Sequence, residues 1–472
     1  MKPHFLLPFL FCTLITIALG ETPSGMWKGA IHLPGNAELQ IQVNLEKKGE
    51  TWTGTIDIPA QGLAGFALSS VGVEAEQVRF AMAGIPGNPS FRGKLSEDGT
   101  TIEGDFEQGP QKLTFKLKST QEALTLTRPQ TPKPPFPYHS KEVTFRNEAA
   151  NIALAGTLLI PEGNGPFPTV LFSTGSGPQD RDEMLVGHRP FLVIADYLAR
   201  RGIASLRYDD RGVAKSEGDH LGSTTDDFAE DAITGIEFLL KQPEVRQDAI
   251  GIVGHSEGGL SGPKVAVQNR NVDFLVLLAP PGVALDALLR QQHHDIMKTQ
   301  ELEDSLIDLA LNGLNEDLEM IKDASISQDD LLKKLTASSK ARIDTMSPEQ
   351  KEKIGLSEEL VQQNIRMTVT PWFRSLISEV PATYLEQIQI PVLALFGEKD
   401  VQVAAEPNSA AVTAALTKAG NPDFEVKTLP KLNHLFQHSE TGSMTEYGTL
   451  EETFAPEALK EVGDWIETRF GS

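Results

Sequence analysis

The chain of 472 residues holds one cysteine, Cys12, and that residue lies among the first twenty. A fold without disulfides or thiolate metal sites must rest on its apolar core, which a chain of this length can build. Long hydrophobic runs are scarce as well. After residues 5–18 no apolar stretch recurs of the roughly 20 residues that a membrane-spanning helix needs. Basic residues do not balance the acids: 42 Lys and Arg against 65 Asp and Glu give a net charge of −23. The acids are spread along the sequence, which reads as a solvated surface and argues against nucleic acid or anionic membrane partners. The one Asn-X-Ser triplet, Asn88-Pro89-Ser90, cannot be glycosylated because of its proline.

What the chain does have starts with Met1-Lys2, an apolar run, and Ala18-Leu19-Gly20 before Glu21. That is the form of a secretory signal peptide over residues 1–20, with a retained membrane anchor as the alternative. Phe11 is too bulky for a lipoprotein cleavage site ahead of Cys12. Its removal would leave a mature chain with no cysteine and no membrane span. These features favour an exported bacterial protein, periplasmic or extracellular.

Residues 21–120 have the period of strands. Leu39, Ile41, Val43 and Leu45 alternate with polar neighbours, as do Leu113, Phe115 and Leu117. Turn residues such as Pro34-Gly35-Asn36 and Glu97-Asp98-Gly99 recur between them. About eight short strands give an all-β barrel or sandwich. Trp27 and Trp52 suit its core better than a ligand cleft. A Pro-rich linker over 121–140, with Pro129, Pro132, Pro134, Pro135 and Pro137, follows as a semi-rigid spacer.

From 141 to 472 the pattern changes to α/β. Two strands at 142–146 and 152–160 lead into alternating strands (169–173, 203–208, 249–253, 274–279) and helices (190–201, 226–240, 258–268). The strands are apolar throughout, as burial on both faces of a doubly wound, mostly parallel sheet requires. The alternation stops at about 284 and resumes with a strand at 392–396. The intervening stretch to about 385 is charge-rich and helical in period, and its topological place makes it a lid over the sheet's carboxyl edge.

The motif that carries chemistry is Gly254-His255-Ser256-Glu257-Gly258, between a short apolar strand and a helix. In that context G-x-S-x-G is a sharp turn exposing a serine nucleophile, with glycines where a Cβ would strike a neighbouring element. A serine hydroxyl needs a base. In this architecture an acid and then a histidine follow on loops after later strands. Asp400 stands just past the strand at 391–396, with Glu398 as its rival. His434 stands just past the strand at 424–429, with His438 as its rival. The oxyanion of acyl transfer needs two N–H donors. Glu257 follows the nucleophile and supplies one; Ser176, within Ser173-Thr174-Gly175-Ser176-Gly177, is the choice for the second, unless that turn only reverses the chain. The clusters Asp180–Glu183 and Asp209–Gly212 read as ion pairs that fix loops, and His293-His294-Asp295 lacks metal-ligand spacing.

These residues carry a family resemblance. Segments 176–183, 206–212, 254–259 and 432–436 are similar to those of bacterial α/β-hydrolase-fold esterases of the EstD type. The chain more distantly resembles serine aminopeptidase-like and dienelactone-hydrolase-like members of that fold. The resemblance spans about residues 140–470, and a small N-terminal β-domain accompanies such esterases. It implies a carboxylic ester hydrolase with a serine acyl-enzyme, a small-molecule ester substrate, and neither cofactor nor metal. Thr370-Pro371-Trp372-Phe373 looks like the family's return from the lid; Trp372 and Phe373 are candidates for lining an acyl pocket, or for packing the lid. Thr174 departs from the histidine common at the oxyanion turn. A peptidase or amidase on the same triad is the second reading, with Glu303 or Glu316 able to bind an amine. A non-catalytic binding protein is the third.

Overall fold

The computed structural model describes residues 23–33, 38–61, 63–85, 87–109, 111–123, 128–300, 302–347, 350–351 and 358–471. The expected signal peptide at 1–20 lies outside them. The chain divides into two compact units, one of Met1–Ile58 with Ala64–Leu124 and one of Pro59–Leu63 with Thr125–Ser472.

The first unit holds nine antiparallel strands in a single sheet. They are β1 (Gly25–His32), β2 (Glu38–Lys48), β3 (Thr51–Ile58), β4 (Leu63–Ala67), β5 (Ser70–Glu74), β6 (Gln77–Ala81), β7 (Ser90–Leu95), β8 (Thr101–Gln108) and β9 (Gln111–Thr120). Their order is β4-β3-β2-β1-β9-β8-β7-β6-β5. The two edge strands β4 and β5 are joined by Leu68 and Ser69 alone, so the sheet curls toward a barrel to bring its edges together. Alternation puts Ile41, Val43, Ile56, Val78, Phe80, Phe91 and Phe115 inside. Phe80 stacks on Phe91 at 4.4 Å, and Phe115 meets Phe91 edge-on at 5.2 Å. Trp27 is buried in this core and donates its indole N–H to the Pro23 carbonyl.

The second unit begins earlier than the sequence pattern suggests. Strand β10 (Tyr138–Asn147) takes in the last residues of the expected linker. Tyr138 is buried and its hydroxyl donates to Asp196 Oδ1, so it is anchored. There follow β11 (Ile152–Pro161), β12 (Phe167–Ser173), α1 (Pro190–Ala199), β13 (Ala204–Tyr208), α2 (Thr225–Leu239), β14 (Val245–His255), α3 (Glu257–Gln268) and β15 (Phe274–Leu278). The eight-stranded sheet runs β10-β11-β13-β12-β14-β15-β16-β17, with β16 (Val392–Gly397) and β17 (Phe424–Leu429). Only the β10-β11-β13 edge is antiparallel. This is the α/β-hydrolase fold. Every residue of β13, β15 and β16 is buried, as helices on both faces demand. Strand β14 outruns its apolar stretch at both ends because it pairs with β12 and β15.

Between β15 and β16 lie helices α4 (Leu285–Thr299), α5 (Asp304–Lys322), α6 (Gln328–Thr345), α7 (Glu358–Thr368), α8 (Pro371–Ile377) and α9 (Ala382–Leu385). After β16 come α10 (Ala405–Ala419), β17 and α11 (Pro456–Phe470). Arg374 on α8 donates to the carbonyls of Ile321, Asp323 and Ile326, which gathers the α5–α6 junction onto α8.

Candidate active site

Ser256 sits between the end of β14 and the start of α3 with φ 52° and ψ −114°, a conformation that non-glycine residues rarely adopt. Its surroundings hold it there. The Ser256 N–H donates to the Leu278 carbonyl at 2.9 Å, and its own carbonyl accepts from Gly259 at 2.8 Å. A Cβ on Gly254 would strike the Gly258 carbonyl, and one on Gly258 would strike the Ser173 carbonyl. The sharp turn therefore needs both glycines.

Asp400 follows β16 and is tied three ways. Its Oδ1 accepts from the N–H groups of Gln402 and Val403, both at 2.8 Å. Its Oδ2 lies 2.8 Å from His434 Nδ1. A carboxylate there keeps the proton on Nδ1 and leaves the Nε2 lone pair available. His434 is held by its neighbour: Asn433 Oδ1 accepts from Leu435 and Gln437, fixing the loop after β17. The rivals lie elsewhere. His438 is half-exposed and faces Glu452 and Glu457, and exposed Glu398 accepts from the Lys431 N–H.

Ser256, His434, Ser176 and Glu257 line one cavity of about 500 Å³. Its walls are mostly apolar, with Leu285, Leu288 and Leu289 from α4 and Phe373, Leu376 and Ile377 from α8. Trp372 lines it too. Thr370 caps α8, accepting from the Phe373 N–H, and Pro371 opens the helix, which sets the aromatic pair against the cavity. As the first residue of α3, Glu257 has an N–H without an intrahelical acceptor. In the turn after β12 the Gly175 N–H is already taken by Glu183 Oε1 at 2.6 Å. Thr174 donates its hydroxyl to Asp210 Oδ1, and Asp210 Oδ2 accepts the Gln179 N–H, so Asp210 braces that turn at both ends.

The charged clusters form the ion pairs expected of them: Arg181 with Asp209, Arg207 with Asp182, Arg211 with Asp231. Glu303 and Glu316 are not among the residues lining the cavity. Among the described residues no group of three or more His, Cys, Asp or Glu could hold a metal ion.

Two features escaped the sequence reading. The Glu257 side chain is buried, and the Trp372 indole N–H reaches its two oxygens at 3.3 and 3.2 Å. Burial pushes this carboxyl up to about 7, against the hydrogen bonds from Trp372 and Ser176. Glu183 and His255, the residue directly before Ser256, form a buried pair at 2.9 Å. An acid cluster beside the oxyanion turn was the only signal of the second, and nothing local signals the first.

Residues 189–441 match the hydrolase family described as serine aminopeptidase, S33. The chain is 26% identical over 333 residues to esterase EstD of Thermotoga maritima, covering 70% of this chain and 68% of that protein. A shorter stretch of 124 residues is 32% identical to acyl-coenzyme A thioesterase 3 of Mus musculus, covering 26% and 25% of the two chains. Among solved structures, Pyrococcus furiosus esterase Pf2001 is similar with a TM-score of 0.44 at 18% identity, over 75% of this chain and 100% of that one.

Proposed function

Because this chain belongs to the hydrolase family described as serine aminopeptidase, S33, we propose that it is an exported serine carboxylesterase acting on short to medium acyl chains. The observation that supports this most is the placement of Ser256, in a strained turn, on the same cavity as His434, whose Nδ1 is held by Asp400 at 2.8 Å. In this reading Ser256 Oγ attacks the ester carbonyl while His434 Nε2 takes the hydroxyl proton. The N–H groups of Glu257 and Ser176 receive the oxyanion, each worth roughly 3–4 kcal/mol of barrier. The tetrahedral intermediate expels the alcohol, which takes the proton from His434. Water, deprotonated by the same nitrogen, then releases the carboxylic acid and restores Ser256. A cavity of about 500 Å³ with leucine and phenylalanine walls suits an acyl chain of modest length.

A serine-directed fluorophosphonate tests the nucleophile. It is expected to label the wild type and not Ser256→Ala, whose turnover falls roughly a million-fold. Labelling at another residue rejects the assignment. His434→Ala and Asp400→Asn are each expected to lower kcat by several orders of magnitude, and together little more than the worse alone.

One observation favours a second reading, a peptidase or amidase on the same triad. Glu257 places a carboxyl at the cavity where an amine of an aminoacyl substrate could meet it. A panel of p-nitrophenyl esters against aminoacyl anilides separates the two, with esters expected to win. For export, N-terminal sequencing of the mature protein is expected to start at Glu21.

A further inference from the structure

Glu183 and His255 stand outside the triad, yet they touch its parts. Glu183 has φ 52°, a left-handed conformation that a glutamate keeps only when its surroundings impose it. Its Oε1 accepts the Gly175 N–H at 2.6 Å, on the oxyanion turn, and lies 2.9 Å from His255 Nδ1. His255 directly precedes Ser256, and its Nε2 lies 3.0 Å from the backbone carbonyl oxygen of His434. Both side chains are buried.

The ring nitrogens therefore face a carboxylate oxygen on one side and a carbonyl oxygen on the other. An imidazole donates to two acceptors only when both nitrogens carry protons. A proton shared between this acid and this base rests on the base, because the N–H groups of Gly175 and His255 both stabilise the carboxylate.

We propose that His255 is an imidazolium held by Glu183, and that this ion pair is the positioning unit that keeps the oxyanion turn, the nucleophile and the base in register. The proposal rests on the triad reading above. Burial alone would strip the His255 proton, but the Glu183 carboxylate beside it, with the His434 carbonyl and Asp400, raises its affinity above the ordinary histidine value.

The pair also stands against the base, with the His255 and His434 rings 4.7 Å apart. The other charged or titratable groups around this pair are Glu183 after β12, Asp400 and Tyr447 beside it, Asp210 beyond Glu183, and Glu257 at the start of α3.

The first test reads the ring directly. In ¹⁵N-histidine-labelled full-length protein, with the signals assigned against His255→Gln, both His255 nitrogens are expected to show protonated shifts from about pH 6 to about pH 8. A neutral ring with one bare nitrogen overturns the proposal. Glu183→Gln keeps the shape and removes the counter-charge, so it is expected to release the proton in that range. A ring that stays charged in this variant overturns the pairing. The second test is kinetic. His255→Gln is expected to lower kcat about tenfold while KM changes less than about twofold, because the pair positions the catalytic groups. An unchanged kcat overturns the positioning role. If His255→Gln does not fold, His255→Asn supplies the assignment and the Glu183→Gln spectra still decide. Fluorophosphonate labelling is scored separately: its absence at Ser256 removes the triad reading and leaves the spectra to judge the ion pair.

Discussion

A buried carboxyl beside a candidate oxyanion donor is a costly residue, and Glu257 is one. Desolvation is the dominant effect on it, and a single indole N–H and a serine hydroxyl offset only part of that penalty. Lys264 favours the ionised form from a distance, while Glu379 opposes it. The consequence for stability has a definite sign. The folded-state value of about 7 lies above the ordinary 4.5, so the folded protein holds this proton more tightly than the unfolded chain does. Stability therefore falls as pH rises from about 4.5 to about 7, by up to roughly 3 kcal/mol from this group. Glu257→Gln retains an acceptor for the Trp372 N–H and lacks the titration. In melting curves from pH 5 to pH 8 the variant is expected to gain on the wild type as pH rises. Parallel curves would show that Glu257 does not titrate in that window.

Among the elements, the inserted helices line the cavity on which Ser256 stands. Their seat on the sheet is polar as well as apolar. Lys264, buried on α3, donates to Glu379 and Thr225, while Tyr384 on α9 donates to the other oxygen of Glu379. An ion pair so enclosed fixes where the lid's last turns lie, since breaking it would strand a buried charge. Ahead of Glu379, α8 brings Trp372 and Phe373 to the cavity. Trp372→Ala would open space in the wall and free the Glu257 carboxyl from its indole partner. It is expected to change the ranking of kcat/KM across acyl lengths while labelling by a small fluorophosphonate changes little. A uniform loss across all substrates with a lower Tm would instead assign Trp372 to lid packing.

For the whole molecule, two buried histidines contribute to the response to acid. His188 and His220 are each pushed down to about 4, first by burial and then by a nearby arginine, Arg128 and Arg211 respectively. A depressed base contributes stability that is complete above the unfolded value of about 6.5 and is lost as pH falls toward about 4. His188 is hydrogen-bonded to Thr453 and the Tyr447 carbonyl. His220 stacks on Phe228 at 4.5 Å, and among the described residues neither of its nitrogens has a hydrogen-bond partner. His220→Phe keeps the stacking ring and removes the titration. Its Tm is expected to fall less steeply than that of the wild type between pH 6.5 and pH 4. Equal slopes would mean that His220 does not hold the folded state back from protonation.

Periodicity and turn chemistry made most of the framework legible. Apolar strands alternating with helices place Ser256, Asp400 and His434 past the ends of β14, β16 and β17, because a parallel sheet brings its carboxyl edges together whatever lies between them. The glycines around Ser256 state their own reason, a clash that any Cβ would make. The nine-strand count, the single rolled sheet and the strand that begins at Tyr138 needed the hydrogen-bond ladder, which no local pattern encodes. Contacts between distant residues were beyond the sequence altogether. Glu257 meets Trp372 across 115 positions, and His255 meets Glu183 across 72. A carboxyl's environment is set by what folds against it, so its burial, its partner and its proton are properties of the tertiary structure. The sequence determined which chemical groups stand at the sheet's edge; packing decided which of them are charged and what they hold in place.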